Sequence, residues 1–550
     1  YLPGYATGDY VAFRSSTNGH RANESYANER FKRTEFFTLA VLFPSPQSNR
    51  FFFFLRCRCE IPECDSPNPA EQTYETPWLR YTTPFKEDGR LPKKCLRYAA
   101  LSGPVASSSN GTRCAPGEFD VNATEACYGR WVFEDPETTV GTEFGLMCED
   151  NKWKLSMVGS INNFGQFIGI PISGVIADKF GRRFTMIFCA VGSAILCILQ
   201  SFSFNFYMFL TFELLSSIVS SGIYAVTFIL AMELFLPEKR VLYYSILECF
   251  LPVGAIMVAL IASWVKDWRL LLRLSNVPGL LFLTYFWLTE ESMRWLETQG
   301  KHDRVINALN KIAIVNKKPM PNLPPVVPQT QVTKEKESES NVSIMKDMIR
   351  SPTIFWRMIR CSYVWIAATL VYYGLTIGAT DIAGDKYLNF SLASFVEIPA
   401  CLLNWAIMEG MSRKNSLCCV LVLSGVTCFL YILLPASLAM VKLSVFMVSK
   451  LAIAVAFSIV YMLTTEIFPT QMRATMVSMC SMLGRIGSML APQTTLLGEY
   501  FGEYMPMTLF GVAALLAAAL TMTLPESKNI KLPDTIDEAE RIGNEDKLEV

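Results

Sequence analysis

Long apolar runs alternate with short polar turns over most of this chain. A helix needs about 20 mostly apolar residues to cross the hydrocarbon core of a bilayer. Runs of that kind lie near 155–177, 184–203, 207–233, 242–265 and 269–289. A second group lies near 358–379, 387–408, 416–436, 442–464, 474–497 and 505–524. The pattern predicts eleven membrane helices, five before a polar stretch and six after it. Four regions break it. Residues 1–56 are irregular, 57–152 are polar and cysteine-rich, 290–356 are basic with a proline-rich centre, and 525–550 form a tail of mixed charge. The segment Phe36–Leu55 is partly apolar but carries Pro44, Pro46, Gln47, Asn49 and Arg50. Polar and charged residues at the centre of a span are costly to insert. A first span that is missing or degenerate is therefore expected there.

Composition agrees with the hydropathy pattern. The 550 residues hold 49 Lys and Arg against 49 Asp and Glu, with 51% hydrophobic and 18% charged residues. Mean hydropathy is +0.28. Soluble domains carry roughly 25% charged residues. The balance excludes a disordered chain, a collagen and a nucleic-acid binder with a large basic excess. It implies a multi-pass membrane protein, with the lipid bilayer as a partner.

Charge orients the spans. Lys and Arg crowd the turns at Lys179–Arg183, Glu238–Arg240, 290–356, Arg413–Lys414 and Arg473, whereas the alternate turns are poor in them. By the positive-inside rule the first set is cytoplasmic. The 57–152 loop is then expected outside the cell, the 290–356 loop and the 525–550 tail inside, and the protein in the plasma membrane. The outer loop carries sequons at Asn110 and Asn122, expected glycosylation sites. Its cysteines are Cys57, Cys59, Cys64, Cys95, Cys114, Cys127 and Cys148. An oxidising space favours disulfides, for which Cys59, Cys64, Cys95, Cys114, Cys127 and Cys148 are the candidates. Seven is odd, so one cysteine is left over.

Three small patterns occur twice, in the same order. Asp178-Lys179-Phe180-Gly181-Arg182-Arg183 answers to Glu409-Gly410-Met411-Ser412-Arg413-Lys414, 231 positions later. Glu233 and Arg240 flank Pro237 as Glu466 and Arg473 flank Pro469, at an offset of 233. Glu290-Glu291-Ser292 closes the first group of spans, and Pro525-Glu526-Ser527 closes the second, 235 positions on. Two homologous halves of about six spans each follow. Parallel repeats of this kind build carriers whose substrate site lies between halves near the bilayer midplane. The repeated charges Asp178, Arg182, Arg183, Glu233, Arg240, Glu409, Arg413, Glu466 and Arg473 are candidates for a cytoplasmic gate. Breaking one partner out of a buried ion pair costs roughly 3–5 kcal/mol, which suits a latch with two states. Solvated membrane anchors are the plainer alternative.

These residues resemble a known family. Gly174-Val175-Ile176-Ala177-Asp178-Lys179-Phe180-Gly181-Arg182-Arg183 is similar to the G-x-x-x-D-R-F-G-R-R signature of the major facilitator superfamily. Glu291-Ser292-Met293-Arg294-Trp295-Leu296 resembles the E-S-x-R-W-L motif of solute carrier family 22, the organic cation, anion and carnitine transporters. Thr142-Glu143-Phe144, Val396-Glu397-Ile398-Pro399-Ala400, Glu466-Ile467-Phe468-Pro469-Thr470 and Arg485-Ile486-Gly487 match as well. The wording of 233–300 is most similar to the insect organic cation transporter-like branch. The resemblance covers roughly 58–530. It implies an all-α membrane protein with the major facilitator fold, two six-helix halves and 12 spans, of which about 11 are recognisable here.

Ionisable residues inside spans are functional candidates by default. Arg485 stands within 474–497. By resemblance the position lines the cavity and carries Asp in many cation transporters but Arg in anion and carnitine branches. Arg pairs with carboxylates as a planar fork. The anion branch often carries Lys just after its equivalent of Val396–Ala400, where this chain has Cys401. A zwitterion or a carboxylate-bearing amine reconciles the two signs. Arg485 could instead pair structurally with a buried Glu. Glu213, Glu248 and Glu397 are further candidates to hold an ammonium, pair with Arg485 or carry a proton, and Glu397 could equally serve packing. By resemblance Tyr224, Trp365, Tyr372 and Tyr373 face the cavity, where cation–π attraction is worth about 0.5–2 kcal/mol each; packing is the alternative.

His20 and His302 both lie outside the spans, which excludes a histidine relay within the membrane. The sequence contains no phosphate-binding G-x-x-x-x-G-K-[ST], no H-E-x-x-H and no G-x-S-x-G motif, so no enzyme, cofactor or metal is expected. The expected function is a carrier of small organic ions working by alternating access, the coupling ion being undetermined. The alternative is a non-transporting membrane glycoprotein or receptor that retains the fold.

Overall fold

The computed structural model describes residues 57–61, 64–66, 72–85, 92, 95, 96–101, 117–127, 131–133, 137–146, 149–234, 240–316, 351–381, 385–469, 473–502, 504–528, 533 and 536–542. Phe36–Leu55, Asn110, Cys114 and Cys148 lie outside the described residues. So do the side chains of Glu233, Arg240, Glu409 and Arg473.

Two helical halves make up the bundle. The first contains α1 (Glu149–Phe180), α2 (Arg182–Gln200), α3 (Phe206–Leu234), α4 (Arg240–Val265) and α5 (Trp268–Asn276). Helix α5 continues as a 3-10 segment, Val277–Thr284, and a last turn, Tyr285–Leu288. Two polar helices follow, α6 (Met293–Thr298) and α7 (His302–Asn316). The second half contains α8 (Pro352–Gly378), α9 (Lys386–Phe395), α10 (Glu397–Gly410), α11 (Arg413–Leu433), α12 (Ala439–Ile467), α13 (Arg473–Leu490), α14 (Gln493–Phe501) and α15 (Met505–Met522). Helix α16 (Ile536–Arg541) lies under the start of α8. There the buried Arg357 donates to the carbonyls of Ala539, Glu540 and Ile542.

Local chemistry sets the boundaries. Asp385 caps α9 by accepting from Tyr387 N at 2.7 Å, and Asp267 caps α5 by accepting from Arg269 N at 2.9 Å. Each satisfies a backbone donor that a helix start leaves open. Between α9 and α10 the chain breaks at Val396. Pro399 has no N–H, and its ring would clash with the carbonyl four residues back, at Phe395. The break leaves Glu397 as the first residue of α10, where its charge meets the helix dipole favourably.

Nine helical stretches among the described residues are long and apolar enough to cross a membrane. Helices α1 and α13 occupy two of the expected spans but are not among the nine. The reason is where they sit. Packed against each other, with α14 beside them, they join the two halves. Their facing residues are polar: Ser156, Ser160 and Gln166 on α1, and Arg485, Gln493 and Thr495 on α13 and α14. A second seam joins α4 to α9 and α10, and Phe390 of α9 is buried in an apolar cluster of the first half. Within the first half α1 lies close to α3, where a methyl group on Gly169 would collide with the Ile218 carbonyl.

A small β module precedes α1. Strands β1 (Cys57–Cys59) and β4 (Trp131–Phe133) pair antiparallel, as do β2 (Leu96–Ala100) and β3 (Phe119–Ala126). A disulfide joins Cys59 to Cys127, and Cys64 and Cys95 are also disulfide-bonded. Arg58 is fully buried and paired with Asp65 at 2.6 Å. The Asn122 sequon lies on the exposed part of β3. Glu143 ties this module to α5, reaching Arg269 at 2.5 Å and the Trp268 indole N–H at 2.7 Å. Glu137 ties it to the second half, meeting Lys386 at 2.5 Å and the Tyr387 hydroxyl at 3.1 Å. This module marks one end of the bundle, the loop end, and the repeated charge motifs mark the other, the motif end.

Candidate functional site

Two polar centres stand out, one at the seam between the halves and one within the second half. The first is Arg485, about 18 Å along α13 from Arg473 at the rise of a helix. Its Nη1 donates to Gln166 Oε1 of α1 at 2.9 Å. Among the described residues no carboxylate forms an ion pair with it. The bond chain continues inward. Gln166 donates to Asn162 Oδ1 at 2.9 Å, and Asn162 donates to Glu213 Oε1 at 2.7 Å. Gln200 donates to Glu213 Oε2 at 2.7 Å. Glu213 is fully buried and joins α1, α2 and α3. Its carboxyl oxygens are thus held by amides in the first half, two residues removed from Arg485.

The second centre is built around Lys450 of α12, which the sequence reading passed over. Its signal was plain: a Lys well inside the apolar run 442–464, whose other Lys, Lys442, stands at the edge. The side chain is fully buried and pairs with Glu397 Oε1 at 2.8 Å. Lys450 also donates to Thr376 Oγ1 at 2.6 Å and to the Tyr372 carbonyl at 3.4 Å. Its ammonium stands 3.5 Å from the centre of the Tyr372 ring. The Tyr372 hydroxyl donates to Glu397 Oε2 at 2.8 Å. Both oxygens of Glu397 are therefore engaged from within its own half.

The remaining candidates divide. Tyr373 packs edge-on against Tyr372 at 5.3 Å. Tyr461 lies within electrostatic reach of Arg485, Glu248 and Tyr373, and Cys401 within reach of Glu248 and Glu397. Glu248 lies on α4, the helix that packs against α9 and α10. Cys249 of α4 and Cys401 of α10 are free thiols on the two helices that meet at that seam. Tyr224 is half-buried on α3. Trp365 departs from the cavity-facing expectation. It is 1% exposed, donates its indole N–H to Thr464 Oγ1 at 3.0 Å and packs on Phe457 and Tyr461 inside the second half.

At the motif end the repeated charges were expected to latch one half to the other. Two pairs among the described residues lie instead within a single half each. Arg182 pairs with Asp178 at 3.0 Å, one helical turn away. Arg183 donates to the Thr289 carbonyl at 2.9 Å. Glu291 accepts from the backbone N–H groups of Arg182 and Arg183 at 2.9 and 3.1 Å. In the second half Arg413 faces Glu466 at 3.5 Å, and Ser527 donates to Glu466 at 2.6 Å. The physical reason is proximity. The acids that follow each group of spans return to the start of a helix in the same half, where open N–H groups draw a carboxylate.

Comparison with known proteins fits this geometry. Residues 139–492 match the model of the Major Facilitator Superfamily. The chain is 31% identical over 526 residues to organic cation/carnitine transporter 2 of Homo sapiens, covering 93% of this chain and 92% of that protein. Solute carrier family 22 member 3 of Mus musculus is 28% identical over 419 residues, covering 76% of this chain and 75% of the relative. In fold the chain is similar to the xylose transporter XylE from E. coli in its inward open conformation, with a TM-score of 0.54 and 17% identity. That alignment covers 71% of this chain and 89% of that one. Extended agreement in sequence and the shared bundle lead to one assignment: the chain belongs to solute carrier family 22, within the major facilitator superfamily.

Proposed function

We propose that this multi-pass membrane transporter carries small organic ions bearing a carboxylate, among them zwitterions of the carnitine type and carboxylate-bearing amines. One observation carries the reading. Arg485 stands at the seam between halves with a neutral amide as its described hydrogen-bond partner. A guanidinium so placed offers its remaining N–H donors to a carboxylate in a bidentate fork. Glu248, facing the same Tyr461, supplies a negative site for an ammonium on the same substrate.

Alternating access gives the seam contacts a role. Ser156 and Thr495, Ser160 and Gln493, and Glu137 and Lys386 hold the halves together toward the loop end, which on the charge pattern is the outer side. Opening outward requires these bonds to part while the site remains near the midplane. Residue loss at Arg485 separates a binding role from a packing role. Uptake of labelled carnitine, tetraethylammonium and an aromatic carboxylate is measured for the wild type and Arg485→Ala at matched surface expression. The reading expects loss of the two carboxylates beyond any loss of tetraethylammonium. Equal loss of all three assigns Arg485 to structure, and no uptake by the wild type supports a glycoprotein without transport.

A further inference from the structure

The line of hydrogen bonds from Glu213 to Arg485 has a direction. An amide accepts through its oxygen and donates through its NH2, and a half-turn of the group exchanges the two. A carboxylate offers acceptors alone. Both oxygens of Glu213 accept, from Asn162 and from Gln200, each at 2.7 Å. Asn162 therefore turns its oxygen away from Glu213, where it accepts from Gln166 at 2.9 Å. Gln166 is left with its own oxygen toward Arg485, which donates to it at 2.9 Å. Run the other way, the same line would set the Gln166 NH2 against the guanidinium, donor against donor. Gln200 shows how firmly Glu213 turns its neighbours. With its NH2 on the carboxyl, the buried Gln200 Oε1 has no hydrogen-bond partner among the described residues. Ser217 also accepts from the Asn162 NH2, at 2.7 Å, but a hydroxyl accepts or donates and so imposes no direction. The backbone beneath is tightly placed. Asn162 and Gln166 are one turn apart on one face of α1, and a methyl group on Gly165 between them would collide with Ser217 of α3.

We propose that Glu213 is a positioning residue for Arg485: as the acceptor end of a relay through Asn162 and Gln166, it keeps the Gln166 oxygen on the guanidinium and so fixes how the remaining N–H donors are presented to a substrate carboxylate. The substrate part rests on the carrier reading above. Glu213 acts from inside the first half on a cation of the second, without contributing to the ion's own coordination. A Glu213 that only packs α1, α2 and α3 together would make the same bonds, so the test must read Arg485 rather than stability alone.

Glu213→Leu removes the acceptor end and frees Asn162 to turn, whereas Glu213→Gln keeps an oxygen for it. Uptake of labelled carnitine and of tetraethylammonium is followed against concentration at matched surface expression. In Glu213→Leu the KM for carnitine should rise about threefold or more, the fold-change of one lost hydrogen bond. The maximal rate per transporter and the KM for tetraethylammonium should change little. Glu213→Gln should restore the wild-type KM. On a Gln166→Met background the relay is already cut, and Glu213→Leu should add no further rise. If Glu213→Leu does not reach the surface, Asn162→Leu interrupts the same line and is expected to show the same split and the same silence beside Gln166→Met. An unchanged carnitine KM, an equal rise for both substrates, or an effect undiminished by Gln166→Met overturns the proposal. A wild type without carnitine uptake removes the carrier reading instead, and the relay is then read from thermal unfolding of the purified full chain. There, Tm losses of Glu213→Leu and Gln166→Met that fall short of their sum in the double variant support the relay, and strictly additive losses overturn it.

Discussion

Glu526 repeats in the second half the contact that Glu291 makes in the first. Glu291 accepts from the backbone N–H groups of Arg182 and Arg183, and Glu526 accepts from those of Arg413 and Lys414 at 2.8 and 3.2 Å. Each carboxylate caps the helix that opens after the repeated charge motif. Gly181, which precedes the first of these helices, has a φ of +104° and no room for a methyl group beside Glu291. The repeat seen in the sequence is thus a repeat of helix caps.

Removing either cap should weaken the protein without touching Arg485. Glu526→Gln and Glu291→Gln are each expected to cost about 0.5–2 kcal/mol, the range for a lost capping group. The Glu526 cap also predicts a pH dependence. Burial pushes its carboxyl up, but hydrogen bonds from the backbone N–H groups of Lys528, Arg413 and Ser527 pull it down further, so its pKa lies below the ordinary value. A depressed folded-state pKa stabilises above the unfolded value, and the gain is lost as pH falls through the folded one. The Tm gap between wild type and Glu526→Gln should hold from neutral pH to about 5 and close below about 4. Thermal unfolding at a series of pH values measures it, and a gap unchanged at low pH contradicts it.

A carboxylate installed beside Arg485 should act as a permanent competitor. Gln166→Glu puts one at the position that now offers an amide oxygen at 2.9 Å. A charge-assisted pair is about twice as strong as a neutral bond. The KM for carboxylate-bearing substrates is expected to rise about tenfold, with smaller change for tetraethylammonium. Concentration dependence of uptake checks this. An unchanged KM for carboxylates would remove Arg485 from the binding site.

Much of the architecture was legible before any coordinates. Helices follow the apolar runs because the membrane imposes length and hydrophobicity on them. The two that are not among the most apolar, α1 and α13, stood out in the sequence as runs near 155–177 and 474–497 like the others. Their polarity is explained only by their position at the seam. Arg485 could be singled out because one charge in a span is conspicuous. Trp365 could not be placed, since an indole packs in a core or lines a cavity with the same sequence signal. Lys450 was as visible as Arg485. Its significance depends on Glu397 and Tyr372, 53 and 78 positions away, which no local pattern brings together.

The link between the β module and the second half predicts a coupled pair. Glu137 is 6% exposed and holds both Lys386 and Tyr387. Glu137→Gln and Lys386→Gln should each destabilise the protein, and the double variant should cost less than the sum of the two. The expected coupling is about 1–3 kcal/mol, as for partly buried pairs that share a network. A double-mutant cycle in thermal unfolding measures it. Strict additivity would mean that the two groups meet without contributing to closure at the loop end.

Cys249 of α4 and Cys401 of α10 offer a direct chemical report on the second seam. They belong to different halves, on helices packed against each other, and both are free thiols. Two neighbouring thiols can be oxidised to a disulfide, giving up two protons and two electrons, here to hydrogen peroxide, which becomes two waters. The bond would cross from one half to the other and hold α4 against α10. A protease site placed within 317–350 lets the halves separate on a denaturing gel unless they are joined. Peroxide should keep the halves together in the wild type, and a thiol reductant should release them. Cys249→Ser and Cys401→Ser should each abolish the cross-link. Uptake should fall on oxidation and recover on reduction in the wild type alone, because relative motion of the halves is what the bond arrests. Cross-linking that survives both substitutions would place the reactive thiols elsewhere, and a joined protein with undiminished uptake would show that this seam does not move during transport.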